Sequence, residues 1–182
     1  MNIGALSEVA SIMNQMSIPY AVTGGVAAVY YDVPRMTFDV DILISCLGTQ
    51  QAERLADALA EKDSSLDIKR VRRTLERGGI FRVDWGGVTV VDFVVIRGAE
   101  PILERAIAAE GIKIVSLEDL ILQKLAVIRG TSQGIIRFQD REDVEVLLLI
   151  HRGGLDLTYL KKEARKAGTA GLLNRLLART SK

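Results

Sequence analysis

One cysteine, Cys46, and one histidine, His151, stand in 182 residues. Cys46 has no partner for an internal disulfide, and the two side chains together cannot furnish a four-ligand zinc site. Such thiol usage suits a reducing compartment, and a cytoplasmic location is expected. There are only 3 prolines, no Pro-rich or Ser-rich linker and no internal repeat, which excludes low-complexity and repeat architectures. Long hydrophobic runs are missing too: Val146–Ile150, with Val144 just ahead, falls far short of the roughly 20 residues that span a bilayer. The amino-terminal stretch carries Glu8 and no basic residue, so it does not read as a secretory signal, and no membrane partner is expected. Charge of one sign is absent as well. With 24 Lys and Arg against 23 Asp and Glu the net charge is +1, so any electrostatic preference must be local.

What is present is the composition of a folded domain, 48% hydrophobic and 26% charged. Leu6, Val9, Ile12, Met13 and Met16 recur at helical spacing over Ala5–Met16. Tyr20–Thr23 reads as a short buried strand, Gly24-Gly25 as a turn, and Val26–Tyr31 as a helix. Thr37–Ile44 is expected to be a central strand and Gln50–Lys62 a helix. Three β-type runs follow, Asp67–Arg73, Ile80–Trp85 and Val88–Val95, punctuated by Gly78-Gly79 and Gly86-Gly87 as hairpin turns. Beyond Glu100 the pattern is mainly helical. A brief strand is expected at Ile112–Val115, then helices over Leu117–Arg129 behind an N-capping Ser116, and over Phe138–Arg152, Leu157–Ala167 and Ala170–Arg179. The expected class is α/β (α+β): a mixed sheet flanked by helices over residues 1–110, and a helical part over 111–182.

Three features carry possible chemistry. Thr23-Gly24-Gly25 joins a strand to a helix, where glycines let backbone amides approach a phosphate; a plain tight turn has the same sequence. Asp39-Val40-Asp41 places two carboxylates on one face of an otherwise apolar strand, with Cα atoms about 6.5–7 Å apart. Such acids reach water, pair with bases or bind hard cations such as magnesium. Asp92 interrupts the β-branched run Val88–Ile96: beside the Asp39–Asp41 strand it brings three carboxylates to one point, and otherwise it pairs with an arginine. Asp84 adjoins the Gly86-Gly87 turn, where local hydrogen bonding accounts for it.

A strand, Gly24-Gly25, a helix, then Arg35-Met36-Thr37-Phe38-Asp39-Val40-Asp41-Ile42-Leu43 and a later strand acid at Asp92 together resemble the nucleotidyltransferase superfamily related to polymerase beta. With Lys124 on a later helix, the set is most similar to the bacterial type IV abortive-infection toxin nucleotidyltransferases, over roughly residues 17–130. The resemblance implies Gly24 and Gly25, with Thr23, at the phosphates of a nucleoside triphosphate. It implies Asp39, Asp41 and Asp92 as the catalytic acids holding two magnesium ions. Lys124 is implied as a triphosphate contact. Arg35 touches phosphate or holds the acid strand by a salt bridge. Many members carry serine after the first glycine, where Gly25 stands here. Asp140 and Asp143 either orient Lys124 or simply favour the dipole of their helix. The implied acceptor is a hydroxyl of RNA such as tRNA, or of a protein, and a toxin of this kind implies an antitoxin partner.

Two stretches hold local positive charge. Lys69–Arg82 has six bases against Glu76, and Leu155–Lys182 has seven against two acids. A polyanionic acceptor and solvated helix faces both account for them. Nearby rings for stacking bases are limited to Phe81 and Tyr159.

Overall fold

The computed structural model describes residues 3–130 and 138–180; Lys182 of the carboxy-terminal basic stretch lies outside the described residues. In chain order the elements are α1 (Ile3–Gln15), β1 (Tyr20–Thr23), α2 (Gly24–Tyr30), β2 (Val40–Ser45), α3 (Thr49–Ala60), α4 (Ile68–Arg77), β3 (Gly79–Trp85), β4 (Thr89–Ile96), α5 (Glu100–Glu104), β5 (Ile107–Ala109), β6 (Ile112–Ile114), α6 (Leu117–Gly130), α7 (Phe138–Ile150), α8 (Leu157–Lys166) and α9 (Ala170–Arg179). Two compact units divide the chain: Met1–Ala27 with Met36–Val115, and Ala28–Arg35 with Ser116–Lys182. No described helix is long and apolar enough to cross a membrane.

The first unit is built on a six-stranded mixed sheet in the order β3-β4-β2-β1-β6-β5. β2 runs parallel to β4 and β1 parallel to β6, while the β1–β2, β3–β4 and β5–β6 pairs are antiparallel. The acid-bearing strand β2 is therefore interior, as its apolar Ile42-Leu43-Ile44 run requires. Period-two alternation in β3 and β4 sends Phe81, Val83, Trp85, Val91, Phe93 and Val95 into the core, where the Phe81 and Phe93 rings stack with centroids 4.9 Å apart. Ile80, Arg82 and Asp84 of β3 alternate to the other face, which is open. The β3–β4 turn holds Gly86 and Gly87 at φ +67° and +73°, a conformation that side-chain-bearing residues resist, and the Asp84 carboxylate accepts from Gly87 N–H at 2.9 Å.

Three elements depart from the sequence reading. Residues Asp67–Arg73, expected as a strand, form the N-cap and first turns of helix α4. The apolar positions Ile68, Val71 and Leu75 recur at three and four, Val71 and Leu75 are buried, and the Asp67 carboxylate caps the helix by accepting from Arg70 N–H at 3.0 Å. α4 packs on α3, β3 and β4, and burying two aliphatic side chains there is worth about 3–5 kcal/mol. The expected strand at Thr37 begins only at Val40, so Asp39 lies just ahead of it. The β5–β6 hairpin adds a strand that the short Ile107–Ala109 run did not advertise.

In the second unit α6 packs on α7 and α8, and α9 closes against α7 and α8. Leu120, Ile121, Leu125, Val144, Leu147, Leu148, Leu160, Leu173 and Leu176 fill its core. Ser116 starts α6 as expected, its hydroxyl accepting from Asp119 N–H at 3.2 Å.

Candidate functional site

Sheet register brings residues from four strands into one row. Thr23, at the end of β1, lies opposite Asp41; Asp41 pairs with Asp92 across the parallel β2–β4 ladder; and Asp92 pairs with Arg82 across the β3–β4 hairpin. Partners in register project from the same face, so the two carboxylates sit on strands about 4.8 Å apart. Like charges placed side by side on adjacent strands repel, and each is relieved by a nearby donor or cation.

Each acid finds a different answer. The Asp92 carboxylate, with 16% of its side chain exposed, receives both arms of the Arg82 guanidinium: Nε donates to Oδ1 at 2.9 Å and Nη2 to Oδ2 at 2.8 Å. The Asp41 carboxylate turns to the start of α2 and accepts from Gly25 N–H at 3.4 Å. Gly24 makes that approach possible: at φ +61°, a β-carbon there would lie 1.9 Å from Asp41 Oδ2. Asp41 thus explains the glycine at position 24 with no ligand present. Asp39 is exposed one residue ahead of β2. The hydrogen bonds that Arg82 donates to Asp92, then the charge of Asp92, and further the charges of Asp39 and Asp41 raise the pKa of Arg82 above its ordinary value.

A cleft of about 480 Å³ opens beside this row, lined by Arg82 and Asp92 together with Asp63, Arg70, Ile80 and Phe81. Four cations of α4, Lys69, Arg70, Arg73 and Arg77, are exposed, whereas Arg72 is paired with Glu53 at 3.0 Å and Asp57 at 2.9 Å.

Arg35 and Lys124 belong to the second unit, where they form a cluster with Asp140 and Asp143 in which Lys124 and Asp143 are buried. Arg35 Nη1 donates to Asp143 Oδ2 at 2.7 Å, and Lys124 Nζ lies 2.7 Å from the same oxygen and 3.1 Å from Asp140 Oδ1. Lys124 and Asp143 expose 6% and 3% of their side chains. Asp140 and Asp143 both contact Lys124, and Asp140 also stands in the first turn of α7, where it favours the helix dipole. Arg35 makes a salt bridge to Asp143 on α7.

Among the described residues, no group of three or more His, Cys, Asp and Glu side chains is arranged to hold a metal ion. In donor type the site nevertheless fits a hard divalent cation, since Asp39, Asp41 and Asp92 offer only carboxylate oxygen and two of them are adjacent in register. What stands at Asp92 is the guanidinium of Arg82. Sequence reasoning placed Arg82 only in a basic stretch, yet its role could be read: a hairpin centred on Gly87 pairs residues equally distant from it, and 82 and 92 are each five away.

No family model and no curated protein matches the chain. Among solved structures it is similar to an antigenic nucleotidyltransferase-like protein from Paracoccidioides brasiliensis, at 19% identity over 94% of this chain and 89% of that one, with a TM-score of 0.48. It is similar to JHP933 from Helicobacter pylori at 13% identity, over 97% and 91% of the two chains, with a TM-score of 0.50. It is also similar to a candidate nucleotidyltransferase from H. pylori at 14% identity, over 92% and 79%, with a TM-score of 0.46. At these identities the likeness is one of fold.

Proposed function

We propose that the chain transfers a nucleoside monophosphate from a nucleoside triphosphate to a hydroxyl of RNA, tRNA included, or of a protein, using two magnesium ions, and that it acts as the toxin of a toxin–antitoxin pair. The observation that carries this reading is the pairing of Asp41 with Asp92 on adjacent parallel strands, beside the Gly24-Gly25 turn and two residues after Asp39. Asp39, Asp41 and Asp92 are the side chains to hold the metal, which supplies neutralisation of the charge that builds on the transferred phosphoryl group and on departing pyrophosphate. The chain's own part is positional. Gly24 leaves Asp41 room at the start of α2, and the rigid β2–β4 ladder fixes the spacing of Asp41 and Asp92. Asp92 and Arg82 line the cleft, so an acceptor hydroxyl entering there comes within reach of Asp92, and the exposed cations of α4 favour a polyanionic acceptor. Lys124 and Arg35, engaged with Asp140 and Asp143, serve in this reading to hold the second unit together.

One observation favours a second reading, a nucleotide-binding module without catalysis: the guanidinium fork on Asp92 neutralises an acid that catalysis needs. Incubation of the purified protein with each labelled triphosphate, magnesium and total cell lysate separates the two. Label entering RNA or protein, and lost in Asp39→Ala and Asp41→Ala variants that stay folded, supports transfer. Label on the hydroxyl of an added antibiotic redirects the activity to drug modification. Triphosphate binding without pyrophosphate release points to the silent module and overturns the proposal.

A further inference from the structure

The acid row already contains a cation. Arg82 engages both oxygens of Asp92, so a second strong ligand competes with the guanidinium fork for that carboxylate. The two partners are held unequally. Asp92 is set in β4 with 16% of its side chain exposed, whereas Arg82 stands on the edge strand β3 with 64% exposed and lines the adjoining cleft. The acid is fixed and the base can swing. Asp39 and Asp41 also act on the same guanidinium through their charge. A divalent cation placed between Asp41 and Asp92 carries twice the charge of a guanidinium, and that charge repels Arg82 at contact distance.

We infer that Arg82 is a displaceable internal counter-ion, which occupies Asp92 in the metal-free protein and yields it to a divalent cation, so that Arg82 sets the metal affinity of the empty site. The inference rests on the reading above that Asp41 and Asp92 share a cation. Breaking an ion pair this exposed costs little, so Arg82 delays the metal without barring it. Leaving Asp92 with no partner is the costlier state, so the guanidinium departs only when another cation arrives. Once released it lies along the cleft that Arg70 also lines, where an anionic group of a substrate meets it.

The test uses Mn²⁺ alone, followed by titration calorimetry and by the paramagnetic signal of free Mn²⁺, with thermal unfolding as a second readout. Arg82→Gln is expected to bind Mn²⁺ about two- to fivefold more tightly than the unaltered protein, the factor by which a pair of this exposure competes. Arg82→Lys, which keeps the charge and loses the fork, falls between them. In an Asp92→Asn background the gain from Arg82→Gln disappears. Without metal, Arg82→Gln unfolds at a lower temperature than the unaltered protein, and Mn²⁺ raises its Tm by more. Equal or weaker Mn²⁺ binding by Arg82→Gln, a gain that survives Asp92→Asn, or no Mn²⁺ binding by any variant overturns the inference. Nucleotide transfer that persists while Arg82→Gln leaves Mn²⁺ affinity unchanged retires this inference alone. Failure of transfer with the Mn²⁺ pattern intact retires the proposed activity and keeps the role of Arg82.

Discussion

Replacing Gly24 by alanine separates two opposite expectations. Helix propensity alone favours the change by about 1 kcal/mol, because alanine restricts the unfolded chain and suits a helix interior. Gly24, however, opens α2 at φ +61°, where a β-carbon costs about 1–2 kcal/mol. That β-carbon would stand 1.9 Å from Oδ2 and 2.5 Å from Cγ of Asp41, so the carboxylate must move and its hydrogen bond from Gly25 N–H is lost. A bond of this length contributes about 1 kcal/mol. The two terms add to a destabilisation of about 2–3 kcal/mol, which at a urea m-value of about 2 kcal/mol/M moves the midpoint down by about 1–1.5 M. The cycle with Asp41→Ala isolates the carboxylate clash: Gly24→Ala should then cost the backbone part and the contact with the remaining β-carbon at 3.0 Å, and the coupling between the two positions should be about 1 kcal/mol. A Gly24→Ala protein as stable as the unaltered one, or a penalty that is the same with and without Asp41, refutes the claim that Asp41 dictates glycine at position 24.

Two further outcomes follow from contacts away from the acid row. The Glu8 carboxylate accepts from Lys62 Nζ at 2.7 Å and from Trp85 Nε1 at 3.2 Å, and these bonds, that to Lys62 foremost, lower its pKa below the ordinary 4.5. A lowered folded-state pKa means the contacts contribute above the ordinary value and are lost as pH falls through the lower one. Trp85 is the sole tryptophan, so its emission should titrate with a midpoint below 4.5 and Glu8→Gln should abolish that step; a midpoint at or above 4.5 in folded protein contradicts the geometry. In the second unit, Asp143→Ala leaves Arg35 and Lys124 with Asp140 as the remaining acid of the cluster, and the loss of stability by denaturant unfolding should be about 3–5 kcal/mol. A loss under about 1 kcal/mol would mark the cluster as dispensable.

The sequence shows the interior place of the acid strand, since Ile42-Leu43-Ile44 after an aspartate pair reads as buried on both faces; the pairing of β2 with β4 is open in the sequence and is met in the fold, while Asp39 falls one residue ahead of the strand it was expected in. Two alternatives left open for Asp92, a shared cation or an arginine, were not separable because the choice depends on hairpin register, which the Gly86-Gly87 centre fixes only once the turn is known to be tight. α4 was misread because Asp67–Arg73 is too short and too rich in arginine to display its apolar stripe; Leu75, which completes it, falls beyond the segment. The cluster around Lys124 was beyond sequence reasoning in its geometry, since Arg35, Lys124 and Asp143 are distant in the chain and a lysine on a helix usually faces solvent.

The most direct test of the central claim is anomalous scattering from crystals grown with Mn²⁺ and a non-hydrolysable nucleoside triphosphate analogue. The expected result is a manganese peak bridging the carboxylates of Asp41 and Asp92, with Arg82 withdrawn from Asp92. Manganese bound elsewhere, or none while Arg82 keeps both its bonds to Asp92, contradicts it.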